Sequence, residues 1–137
     1  MLMGESIVVF NPKLAENLKY FRKQGMQLMS KMRFISAQFS AYLKNDLWRK
    51  NASHANKMAS FMAEQLSQFR DVTIPRPVEA NGVFAVLPKN LIPKLREKYF
   101  FYVWNESTGE VRLMTSFDTQ LSDIDTFVAT VKDLLNQ

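Results

Sequence analysis

The spacing of apolar residues changes character at Phe69, and that change by itself excludes most folds. Upstream of it, Leu14, Leu18 and Phe21, then Leu28, Met32, Ile35, Phe39, Tyr42 and Leu43, recur at intervals of three and four, the repeat of one helix face. Downstream, short β-branched and aromatic runs over 72–74, 83–87, 100–104 and 111–115 are divided by helix-breaking Pro75, Pro77 and Pro88. Long helices followed by short strands fit neither a helical bundle nor a sandwich. They imply an α+β fold, with long N-terminal helices and a small antiparallel sheet covered by helices on one face.

Within the helical half, Gly25 interrupts the apolar stripe and shifts its phase, which predicts two helices joined by a turn over 24–27. Asn45 and Asp46 offer the cap of a further long helix, whose inner face is Leu47, Ala52, Ala55, Met58, Ala59, Met62, Leu66 and Phe69. Met29, Met32, Met58 and Met62 fall at helical spacing and read as core fillers rather than as a binding surface. In the second half a helix is predicted over 91–98, and Ser107, Thr108 and Gly109 supply a hairpin turn between the last two strands. Ser122 and Asp125 give a capping-box-like start to a final helix, with Ile124, Phe127, Val128, Val131, Leu134 and Leu135 on one stripe.

Ser6 to Phe10 is different: an apolar run closed by Asn11 and Pro12, with no polar alternation. It reads as a strand needing cover on both faces, the remnant of a larger sheet. The expected organisation is therefore a strand remnant over 1–12, connecting helices over 13–46 and a small C-terminal domain over 47–137.

At 137 residues, 47% hydrophobic and 23% charged, the chain can form a core without staples; a chain of this size buries roughly two thirds of its unfolded surface. With no cysteine and one histidine, His54, disulfides, thiolate catalysis and the usual zinc sites are excluded. No run has the length of a membrane span or the pattern of a signal peptide, so a cytoplasmic protein with no membrane partner is expected. The net charge of +5 would favour an anion, but the cations beyond Arg33 are scattered among acids, which argues against nucleic acid as a partner.

Three groups of residues carry possible chemistry. Arg112 lies in a strand between Val111 and Leu113, so alternation turns it to the opposite face, where a guanidinium held on a strand can grip a carboxylate with two parallel bonds. From the residues alone its ordinary reading is a solvated arginine paired with an acidic neighbour. The cations Arg22, Lys23, Lys31 and Arg33 flank the predicted turn, where a phosphate could be held; as a charge run they are more commonly a solvated face. His54 has no recognisable triad partners and reads as a packing or capping residue. No metal site and no catalytic residue are identified.

Several spaced segments together resemble one family. They are the run from Gly4 to Phe10, Arg22-Lys23-Gln24, Ser30-Lys31-Met32-Arg33-Phe34, His54-Ala55-Asn56, Pro77-Val78-Glu79-Ala80-Asn81, and Val111-Arg112-Leu113-Met114-Thr115-Ser116-Phe117-Asp118. In this order they are similar to the C-terminal part of low-specificity L-threonine aldolases, pyridoxal-phosphate enzymes of the aminotransferase-like superfamily. The resemblance implies an amino-acid substrate, cleavage of threonine to glycine and acetaldehyde, and a homo-oligomer. It assigns Arg112 to the substrate α-carboxylate and Lys31, with Lys23 as second candidate, to the cofactor phosphate. Because the family's Schiff-base lysine precedes the segment matching residues 1–10, the chain alone is expected to be inactive. The alternatives are a related β-eliminating lyase, or a non-enzymatic module that binds an anion or nucleic acid.

Overall fold

The computed structural model describes residues 4–136, which divide into two compact units, Met1–Trp48 and Arg49–Gln137. In the first unit, Asn11 Oδ1 accepts from the Lys13 backbone N–H at 3.1 Å, and Pro12 opens the short helix α1 (Pro12–Ala15). This is the usual use of a side-chain acceptor and a fixed φ at a helix start. Helix α2 (Leu18–Gln24) ends at Gly25, whose N–H reaches Phe21 O at 2.8 Å. The interruption falls where Gly25 predicts it, but the connection runs on through Met32, and α3 spans Arg33–Leu43. Met26 and Lys31, both at positive φ, turn the backbone within it.

None of these helices contains a buried residue. Leu14, Phe21 and Met29 are among the exposed apolar side chains, so Met29 is not the core filler expected of it. The strand expected over 6–10 is also absent: these residues form no ladder, and Ile7, Val8 and Phe10 are exposed. A strand exists only through pairing, and nothing among the described residues pairs with this run.

A 3₁₀ turn at Lys44–Asp46, with Asn45 and Asp46 both at positive φ, leads into the twenty-residue helix α4 (Leu47–Leu66). Asparagine and aspartate tolerate that region better than other side chains. Ala55, Ala59, Met62, Ala63 and Leu66 form the buried stripe of α4, whereas Leu47 and Ala52, also expected on it, are exposed.

The stripe packs into a core with β1 (Gly82–Val86), α5 (Leu91–Arg96), β3 (Glu110–Met114) and α6 (Leu121–Leu135). Strand β2 is Tyr102–Asn105, and the sheet has the order β1-β3-β2, antiparallel throughout. The run over 72–74 makes only a single bridge, Thr73 to Val86. Gly109 closes the β2–β3 hairpin at φ 76. The cap of α6 sits slightly earlier than expected: the Gln120 backbone N–H donates to Asp123 Oδ2 at 2.8 Å, completing a box that leaves Ser122 and Asp125 inside the helix.

Candidate functional site

Alternation along β3 divides its residues between two environments. Val111 and Leu113 enter the core beneath the helices, and Glu110, Arg112 and Met114 turn to the other face. In the register, Arg112 stands between Phe84 on β1 and Tyr102 on β2. A bulge between Val103 and Asn105 leaves Trp104 without a register partner, and its ring meets Phe84 edge-on at 5.3 Å. The Arg112 guanidinium lies 5.5 Å from the ring centroids of both Tyr102 and Trp104.

The expected acidic neighbour of Arg112 is engaged elsewhere. Glu110, on the same face, is buried and ion-paired with Arg76, whose guanidinium also stacks 4.3 Å from the centroid of Phe84. Among the described residues Arg112 therefore has no carboxylate, and its buried Nε has no hydrogen-bond partner at all. A buried donor without an acceptor costs about 1–3 kcal/mol. That cost must be offset by other contacts of the side chain, and the two ring faces beside the guanidinium are available for it.

Thr115, just past the end of β3, ties the strand to α4 by hydrogen bonds as well as by packing. The buried Thr115 hydroxyl donates to Ala55 O of α4 at 2.7 Å, its N–H donates to Asn81 O at 3.0 Å, and Asn81 Nδ2 returns a bond to Thr115 O at 2.8 Å. His54, also on α4, places Nε2 at 2.8 Å from Thr119 O; a carbonyl can only accept, so this nitrogen carries the hydrogen. That contact is a packing role, as the sequence suggests. Lys23 and Lys31 are exposed residues of the other unit, Lys23 in the last turn of α2 and Lys31 at φ 59.

Among the described residues no cluster could hold a metal ion. A cleft of about 220 Å³ at the edge of the core, lined by Met62, Phe101, Leu113 and Phe127, is mainly apolar. Its one carboxylate, Asp123, is occupied by the α6 cap.

The helix-backed antiparallel sheet makes this an α+β fold. The chain superimposes on a solved threonine aldolase of Leishmania major with a TM-score of 0.79 and 27% identity, over 93% of this chain and 38% of that one. The sequence is 40% identical over 124 residues to a low specificity L-threonine aldolase of Pseudomonas aeruginosa, and 35% identical over 136 residues to one of a Pseudomonas species. These alignments take in 90% and 99% of this chain but span only 36% and 39% of the relatives. No protein-family model matches. The chain is thus homologous, over nearly all its length, to part of the low specificity L-threonine aldolases.

Proposed function

We propose that the chain is the C-terminal portion of a pyridoxal-phosphate-dependent lyase that cleaves β-hydroxy-α-amino acids, threonine giving glycine and acetaldehyde, and that Arg112 holds the substrate α-carboxylate. The observation that carries this reading is the guanidinium on the open sheet face, flanked by rings, with the Glu110 carboxylate of the same face held by Arg76. A planar fork of this kind matches a carboxylate with two parallel bonds. Anchoring the carboxylate fixes the rotation of the substrate about Cα, and so the orientation of the bond to be broken.

The donor set of the chain is suited to an anionic cofactor. Lys31, and as second candidate Lys23, would hold the phosphate of pyridoxal phosphate through exposed ammonium groups with no ion-pair partner among the described residues. When bound, the cofactor supplies the electron sink for the carbon left by Cα–Cβ cleavage. No lysine of this chain is assigned to bind it covalently, so the chain by itself is expected to turn over no threonine. The exposed apolar residues of 7–43 support the further proposal that copies of the chain associate; a strictly monomeric sedimentation profile at high concentration would count against it.

The test is an assay of the purified chain with added pyridoxal phosphate and threonine. No acetaldehyde is expected, and sustained release would sink the fragment reading. For the rival reading, an anion-binding module without catalysis, salt-sensitive nucleic-acid binding is the diagnostic.

A further inference from the structure

A surface arginine that waits for an anion ordinarily keeps all its donors in water. Arg112 does not: its guanidinium lies against Tyr102 and Trp104, each ring centroid 5.5 Å away, and its Nε is removed from solvent without an acceptor. The attraction of a cation to ring faces is what offsets that loss. Both rings are set by the sheet itself, Tyr102 by direct register with Arg112 and Trp104 by the bulge.

We infer that Tyr102 and Trp104 are positioning residues for Arg112, forming an aromatic cradle that fixes the guanidinium plane and seals Nε, so that a carboxylate is taken end-on by the two terminal Nη groups. This rests on the assignment of Arg112 to the substrate carboxylate, but it adds a direction of approach and two residues. With Nε sealed, the side-on pair of Nε and one Nη is closed to an incoming anion. Holding the fork in place also means that less side-chain freedom is lost on binding. Tyr102 and Trp104 are about half exposed, at 56% and 54%, so their replacement leaves the core intact.

The experiment is an NMR study of the full chain with glycine as the carboxylate probe. In the parent chain the Arg112 side-chain protons should be shifted upfield by the rings, and glycine should move the Nη signals more than Nε. Tyr102→Leu and Trp104→Leu should each weaken glycine binding by about two- to tenfold, the range expected for loss of one cation–ring contact. Tyr102→Phe and Trp104→Phe, which keep a ring, should restore binding to within about twofold. Arg112→Lys, with charge but no fork, should abolish it.

The outcomes separate the two claims. If Arg112→Lys binds glycine as the parent does, or the parent binds none, the carboxylate assignment fails; the cradle is then judged on the Arg112 proton shifts, and shifts unchanged in both leucine variants overturn it. If Arg112→Lys loses glycine but both leucine variants bind it with parent affinity, the cradle is wrong and the carboxylate assignment stands.

Discussion

The two units of this chain share a helical vocabulary and differ in what their helices achieve. Helices α3 and α4 both carry apolar residues at intervals of three and four, yet α3 buries none of them while α4 buries five against a sheet. Periodicity therefore reports which face of a helix asks for cover, not whether cover is present. In Arg49–Gln137 a sheet and two further helices supply it. In Met1–Trp48 Phe21, Phe34 and Leu43 remain exposed.

This contrast predicts a ladder of stability effects. Leu66 is fully buried, and Leu66→Ala should cost about 2–5 kcal/mol in urea unfolding of the second unit. The matched change Phe21→Ala in the first should stay within about 0.5 kcal/mol; equal losses would erase the distinction between the units. Gly109→Ala should cost about 1–3 kcal/mol, because a Cβ there would lie 2.6 Å from Leu87 O on a backbone at φ 76. Thr115→Val removes the hydroxyl bonds to Ala55 O and Asn81 O and should cost about 1 kcal/mol, read as a lowered denaturant midpoint. The smallest effect is expected at Lys31, where Lys31→Gly relieves a positive φ. It should stabilise the first unit by a few tenths to about 1 kcal/mol, visible only as slower amide exchange in α2 and α3; a shift in the unfolding of the second unit would break the comparison.

The sequence is most informative where the forces are local. The apolar stripe of α6, the glycine of the β2–β3 hairpin and the break at Gly25 are all legible because each depends on residues a few positions apart. The α6 cap shows the limit of that logic. Ser122 and Asp125 have suitable chemistry, but Gln120 and Asp123 close the box first, and helix starts are decided by which pair satisfies the free N–H groups. The run over 6–10 fails for the opposite reason, since its residue types favour a strand whose partner no local pattern can supply.

Legibility of the site divides in the same way. Arg112 stands out from alternation alone, but counting back through a regular hairpin from Asn105 and Glu110 puts Val103 opposite it; only the bulge brings Tyr102 there. Arg76 and Phe84 could not be reached. Arg76 is 34 positions from Glu110 in sequence, and it takes the carboxylate that a local reading would give to Arg112. Lys23 and Lys31 are unchanged by the fold, which gives them no partner that would single out one over the other.

The bulge in β2 has a consequence beyond the placement of Trp104. The sheet order leaves the far side of β2 as an open edge, and a flat open edge is a template on which other chains can add strands and grow into fibres. An extra residue between Val103 and Asn105 bends the strand and disturbs the row of N–H and C=O groups that such growth requires. The irregularity that carries an aromatic ring toward Arg112 thus also works against edge-to-edge polymerisation along β2.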